Sequence, residues 1–186
     1  SACLVGSEMC IRDSHIRAGV EIDDDDLHNL VIESNNKRAK EKALWLISYR
    51  DHSEKELVDK IKRDYSEESA LAAVAKLKDL GLVNDENYAR RYYKELTLGS
   101  KHLSPRGAKY KLMEKGIDRN LIDIIMEETE VDQREQIRII IEKKYKNFTT
   151  DEKYKRRAIS GLQRKGFSWD DIKSVMSEYE GENYGY

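Results

Sequence analysis

LMEKGIDRNLIDIIMEE (residues 112–128) and LQRKGFSWDDIKSVMSE (residues 162–178) are one pattern written twice, fifty positions apart. Leu112, Lys115, Gly116, Ile117, Ile122, Ile125, Met126 and Glu128 of the first copy correspond to Leu162, Lys165, Gly166, Phe167, Ile172, Val175, Met176 and Glu178 of the second. A fainter third copy lies about fifty-one residues earlier, with Ile61, Tyr65, Leu71, Val74 and Ala75 in the corresponding places. Repetition at this period marks an array of small helical units that bury their apolar faces by packing on one another. Such arrays generally bind and seldom catalyse.

Working outward from the repeat, the chain reads as three units of three helices. In the first, Ala43, Leu44 and Ile47 share a face; Ser53 and Glu56 are spaced as a capping box; Leu57, Ile61 and Tyr65 continue that helix. A third helix follows Ser66, turns Ala70, Val74 and Leu77 inward, and ends at Gly81 in the left-handed region. The second unit opens at Asp85 as N-cap, carries Ala89, Tyr92, Tyr93 and Leu96, and stops at Gly99. Pro105 suits the first turn of the next helix, whose Ala108 and Leu112 face inward before Gly116 ends it. Asp118 caps a helix with Leu121, Ile122, Ile125 and Met126 on its apolar face. The third unit repeats the plan with Ile137, Ile140 and Ile141, a second box at Thr149 and Glu152, then Tyr154, Ala158 and Leu162, a stop at Gly166, and Ser168 as the last cap. Ile172, Val175, Met176 and Tyr179 complete the final stripe.

Composition agrees with an all-α fold. Of 186 residues, 38% are charged and only one is proline, which suits polar-faced helices better than a turn-rich sheet. Most of the expected helices are marginal in isolation, so packing between them must stabilise them. No run of 18 apolar residues exists and the start lacks a secretory layout, so the expected compartment is cytoplasmic. Cys3 and Cys10 make neither a disulfide framework nor a zinc site.

The chain divides by expectation into 1–14, a non-native segment; 15–36, an acidic N-terminal helix; 37–84, 85–131 and 132–180, the repeats; and 181–186, a tail. Glu8-Met9-Cys10-Ile11-Arg12-Asp13 resembles the translation of a sequencing adapter, so residues 1–14 stay outside the fold argument. On this reading the natural N-terminus is missing. Asp23 to Asp26 complement a short helix's N-terminus, and Leu27, Leu30 and Val31 give it one apolar stripe; the spaced oxygens of a calcium loop are lacking.

Three segments carry a family signature: Tyr49-Arg50-x-x-Ser53-x-x-Glu56-Leu57; Gly81-Leu82-Val83-Asn84-Asp85-x-x-Tyr88-Ala89; and Pro105-Arg106-Gly107 leading to Leu112-x-x-Lys115-Gly116-Ile117. With the later Leu162-x-x-Lys165-Gly166-Phe167, they resemble the RecX family of recombination regulators over about residues 20–180. The resemblance implies an elongated three-repeat helical protein that binds the RecA recombinase filament on single-stranded DNA. It further implies modulation, usually negative, of ATP hydrolysis, strand exchange and co-protease activity, within DNA repair and the SOS response. Some relatives place a β-rich segment before the first repeat.

The net charge of −2 hides a division: residues 1–36 carry −6, and residues 37–177 carry +7. Residues 90–115 hold eight basic against two acidic side chains, and residues 134–165 eleven against four. The face expected to meet filament or DNA comprises Arg90, Arg91, Lys94, Arg106, Lys109, Lys111, Lys115, Lys153, Arg156, Arg157, Arg164 and Lys165, with Lys101 nearby. Tyr88, Tyr92, Tyr110 and Tyr154 are interleaved as candidate stacking surfaces. Composition alone favours a solvated face balanced by glutamates; the resemblance reverses that for the second and third units.

Other chemistries find little support. Lys115-Gly116 and Lys165-Gly166 lack the glycine-rich strand-to-helix setting of a phosphate loop and read as basic helix ends closed by glycine. His15, His28, His52 and His102 have no ligand spacing, and no nucleophile, base and acid stand together. The expectation is a non-enzyme without metal or cofactor, a monomer that contacts single-stranded DNA weakly or indirectly. The alternative is a direct, sequence-indifferent nucleic-acid binder. The opposition of −6 to +7 also motivates the hypothesis that the acidic N-terminal helix folds back over the basic face, in which case deleting residues 15–36 strengthens DNA binding at low salt.

Overall fold

The computed structural model describes residues 23–182, with side chains as far as Tyr179, and the adapter-like segment lies outside that range. Among the described residues all regular structure is helical. Two compact units divide after Asn84.

The first unit holds α1 (Asp24–Tyr49), α2 (Glu54–Ile61) and α3 (Glu67–Asp79). Asp24, Asp25 and Asp26 occupy the first turn of α1, where carboxylates complement the helix dipole. Residues 24–36 and the first helix of the repeat are one unbroken element, so among the described residues no separate short helix stands before Lys37. Nothing at Ser34-Asn35-Asn36 supplies the proline or glycine that stops a helix. The stripe of Leu27 and Val31 is half exposed, and burial begins only at Ala39. Leu44 is likewise exposed; Ala39, Ala43 and Leu46 face the core instead.

Ser53 caps α2 by accepting from the Glu56 amide at 3.2 Å, while the Glu56 carboxylate binds Arg50 at 2.5 Å. Ser66 caps α3 in the same way through the Ser69 amide. Tyr65 stands beyond the end of α2, in the turn, and not on the helix as its spacing suggested. The faint third copy of the repeat holds in part: Ile61 and Val74 are buried, and Ala75 is exposed. Leu71 is exposed, whereas Ala70, Ala73, Val74 and Leu77 are buried.

The second unit contains two three-helix groups: α4 (Asp85–Thr97), α5 (Pro105–Glu114) and α6 (Arg119–Glu128); then α7 (Gln133–Lys144), α8 (Glu152–Arg164) and α9 (Trp169–Glu182). Asp85 begins α4 as a first-turn residue, one position inside the cap expected of it. Ser104 caps α5 ahead of Pro105, Asp118 caps α6, and Ser168 accepts from the Asp171 amide. At α8 the cap is Asp151, which accepts from Lys153; Thr149 is not the cap, because residues 146–150 form turns before the helix starts.

Each three-helix group has its own apolar core. Leu57, Ile61, Val74 and Leu77 anchor the first; Tyr93, Leu112, Ile122 and Ile125 the second; Ile137, Leu162, Ile172 and Val175 the third. Leu112 and Leu162 are fully buried at equivalent places, where truncation to alanine costs about 2–5 kcal/mol. Their carbonyls accept from the amides of Ile117 (3.2 Å) and Phe167 (3.3 Å). These six-to-one bonds wrap around Gly116 (φ 81°) and Gly166 (φ 91°), which closes both helices with the same Schellman turn. Gly81 (φ 70°) makes the equivalent turn after α3, with Leu82 bonded to Leu77 at 2.9 Å.

Candidate functional site

The closing turn of α8 brings distant segments of the second unit together. The amide of Ser104 donates to the carbonyl of Lys165 at 3.0 Å, and the Lys165 ammonium donates to the Lys101 carbonyl. Gly107 sits directly against the Lys165 carbonyl, so a Cβ there would overlap it. A Cβ on Gly166 would lie 2.6 Å from Ser104 Oγ and 2.9 Å from Gly107 Cα. On another side, Gln136 Nε2 donates to the Thr97 carbonyl at 2.7 Å, inside the protein. Lys165 is thus a joint between the second and third repeats as well as a cation of the expected face.

A groove of about 380 Å³ runs along this joint, with Arg106, Tyr110 and Lys111 from α5, and Gln163, Arg164 and Phe167 from the other repeat. Tyr110 is 57% exposed, so its ring is available to a partner. Both walls contribute a positive charge.

The remaining cations of the expected face fall into two classes. Arg90 bonds Glu86 at 2.9 Å and also pairs with Glu128; together these hold its guanidinium above the ordinary arginine range, with Glu128 the larger influence. Lys109 pairs with Asp123, Lys111 with Glu114 at 2.8 Å, and Arg156 with Glu152 at 3.2 Å. Lys101 pairs with Glu95 and lies 5.5 Å from the Tyr92 ring centroid. Such exposed pairs hold weakly and leave the charge available for exchange. Lys94, Arg106, Lys153, Arg157 and Arg164 have no carboxylate partner among the described residues. Arg91 and Lys115 stand on α4 and at the end of α5, each with further polar contacts.

Tyr88 is not a stacking surface: it is 7% exposed and packs against Tyr92, ring centroids 5.5 Å apart. Tyr154, placed inward by spacing, is 47% exposed. It serves the surface and not the core, because Ala158 and Leu162 already fill α8's buried stripe.

Three cations outside the expected set, Lys143, Lys144 and Lys146, reinforce the same positive field. His102, in the left-handed region at φ 45°, titrates below its ordinary value through burial and then the charges of Lys143, Lys165 and Lys144. Burial, followed by Lys144, also lowers Lys165. The signal in the sequence is the density of basic residues between 134 and 165, although spacing alone gives no reason to select these three. Among the described residues no three metal-ligating side chains come together, and no helix is long and apolar enough to cross a membrane.

Comparison with known proteins supplies the family. The model described as "RecX, first three-helix domain" matches residues 39–77, and "RecX, third three-helix domain" matches residues 131–176. Regulatory protein RecX of Caldanaerobacter subterraneus subsp. tengcongensis is 32% identical, over 87% of this chain and 81% of that protein. The crystal structure of RecX from Lactobacillus salivarius is 28% identical, with a TM-score of 0.64 over 80% of this chain and 98% of that one. A second crystal structure, of regulatory protein RecX, shares the fold at a TM-score of 0.69 and 22% identity, over 91% of this chain and 85% of that one. The paired closing turns, the three separate helical cores and a relative matched over most of both lengths have one reading: this chain belongs to the RecX family of regulatory proteins.

Proposed function

We propose that this protein binds the RecA recombinase filament on single-stranded DNA and restrains it, depressing ATP hydrolysis, strand exchange and co-protease activity. The carrying observation is family membership over most of the chain, seen together with a cation face spread across two joined repeats. The protein acts as a non-catalytic monomer without metal or cofactor, in the cytoplasm where its filament forms. Arg106, Arg157 and Arg164 supply the charge most readily given to a partner, because among the described residues no carboxylate must first be displaced. Arg90, Lys109, Lys111 and Arg156 contribute by exchanging partners, while Arg91, Lys94, Lys115 and Lys153 extend the face. Two repeats tied to each other by the Ser104–Lys165 and Gln136–Thr97 hydrogen bonds present their cations together, so contacts on each add through effective concentration.

The test is recombinase ATP hydrolysis on single-stranded DNA with and without this protein. Hydrolysis should fall as the protein is added; an unchanged rate would refute the reading. Direct nucleic-acid binding is the second reading, favoured by the unpaired cations. Titration into bare and recombinase-coated DNA at near-physiological salt separates the two, since tighter binding to the coated strand supports the filament and equal binding supports the strand alone.

A further inference from the structure

Where α7 ends and the chain turns toward α8, a cavity of about 630 Å³ opens in the third repeat. Lys143, Lys144, Lys146, Arg157 and Arg164 line it, and no acidic side chain does. None of the five has a carboxylate partner among the described residues; Arg164 turns its Nε to the Ser160 carbonyl at 3.2 Å. Tyr154 stands on the wall, half exposed, and Phe148 is buried at its base.

The recess is built into the fold and is not a chance spread of lysines. Tyr145, the residue that ends α7, lies against Gly161 of α8 so closely that a Cβ on Gly161 would overlap its hydroxyl and come within 2.9 Å of Cζ. The glycine therefore lets the ring cross α8, which fixes the path of residues 143–148 past Arg157 and Arg164. Phe148 bonds back to the Tyr145 carbonyl at 3.0 Å and packs edge-on to Tyr179, ring centroids 5.8 Å apart.

We propose that this recess is a phosphodiester site for single-stranded nucleic acid, with Tyr154 as the surface on which one base stacks. The inference deepens the filament reading and rests on it in one respect: it assigns the strand, not the recombinase, to the third repeat. Five like charges around one concavity repel each other, and a polyanion with closely spaced phosphates relieves that repulsion by displacing their counterions. An acidic protein surface could neutralise the cations but would gain little from the tyrosine ring. A duplex would offer phosphates while keeping its bases stacked on each other, so the ring again selects an unpaired strand. The lining is dominated by cations suited to phosphates, with Asn147 its single side-chain amide and Tyr154 its exposed ring, a set suited to contact through backbone and stacking.

Fluorescence anisotropy with a labelled oligothymidylate, using the full chain across roughly 50–200 mM salt, tests the assignment. The double variant Lys143→Gln/Arg157→Gln should bind more weakly, and its log–log salt slope should shrink by about 1.4, at roughly 0.7 for each lost phosphate contact. Tyr154→Ala should weaken binding about 5- to 150-fold with the slope unchanged. Lys173→Gln, on α9 outside the recess, measures the effect of losing charge anywhere on this repeat, and should change the slope less than half as much as the double variant. If Lys173→Gln changes the slope by half as much as the double variant or more, or if Tyr154→Ala is silent, the recess is only part of a diffuse field and the proposal is overturned. Recombinase ATP hydrolysis separates the two readings. Oligothymidylate binding that survives the double variant while suppression is lost would sink the strand assignment and leave the filament reading standing. Weakened oligothymidylate binding with suppression intact would support the strand assignment and show that restraint of the filament comes from other contacts.

Discussion

The amide of Ser104 and the carbonyl of Lys165 are joined by a 3.0 Å hydrogen bond, which ties the start of α5 to the closing turn of α8. Two of the sequence signatures that identify the family, Pro105-Arg106-Gly107 and Lys165-Gly166-Phe167, therefore meet in space. Each supplies a glycine because the other's backbone occupies the volume a side chain would need.

Replacement of Gly166 by alanine should destabilise the second unit by about 2–4 kcal/mol, since positive φ and steric overlap act together. Gly81→Ala, with similar φ but nothing within 4 Å of the new Cβ, should cost the first unit only about 1–2 kcal/mol. Amide hydrogen exchange on each unit's helices reads both. Equal losses would mean that the close approach at the joint carries no energetic weight.

Arg90 should matter less to nucleic-acid binding than its place on the basic face suggests. Its charge is already shared between Glu86 and Glu128, whereas Arg106 has no carboxylate to leave among the described residues. Arg90→Gln is therefore expected to reduce the salt slope by clearly less than the roughly 0.7 expected for Arg106→Gln. Indistinguishable slopes would show that the pairs are too loose to hold the guanidinium back.

His52 gives the first unit a pH dependence. Its Nδ1–H donates to the Arg50 carbonyl at 2.8 Å, and Nε2 is buried without a protein partner among the described residues. Burial is the chief cause that depresses its pKa below 6.5, so the folded state prefers the neutral ring. Its contribution is intact above pH 6.5 and is lost as pH falls through the folded value, where protonation would bury a second N–H without an acceptor. Denaturation midpoints measured from about pH 7 down to about pH 5 should fall more steeply for the natural protein than for His52→Gln. Parallel curves would remove His52 as the cause.

Tyr93 is wholly buried with a hydroxyl that finds no protein partner among the described residues. Tyr93→Phe removes a desolvated polar group at no cost in shape, so it should lie between a loss of about 0.5 and a gain of about 1 kcal/mol in thermal or chemical unfolding. A loss above about 2 kcal/mol would reveal a partner bond.

Periodicity made most of this architecture legible, because the same residues that repeat in the sequence are those that must be buried. Leu112 and Leu162, Ile122 and Ile172, and Gly116 and Gly166 all stand where the repeat put them. Spacing failed where two positions on a helix were equally apolar. Leu44 is as hydrophobic as its buried neighbour Leu46, and only the fit between helices decides which turns inward. Thr149 failed for another reason: Asp151, two residues later, offers a carboxylate to the same helix end, and a charge outcompetes a hydroxyl near the dipole. The site was legible in composition but not in partnership. That Arg90 is claimed by Glu128, 38 positions away, or that Tyr145 crosses Gly161, follows from contacts no local pattern encodes.

The unbroken run of α1 from Asp24 to Tyr49 changes how its aspartates can move. At 1.5 Å per residue the helix is a rod of about 39 Å, clamped at one end by Ala39, Ala43 and Leu46. A lever of this kind has no hinge between its charged tip and its anchorage. The tip cannot move against the core of its own repeat unless several turns melt. Any displacement of Asp24, Asp25 and Asp26 is thereby coupled to that of an entire module.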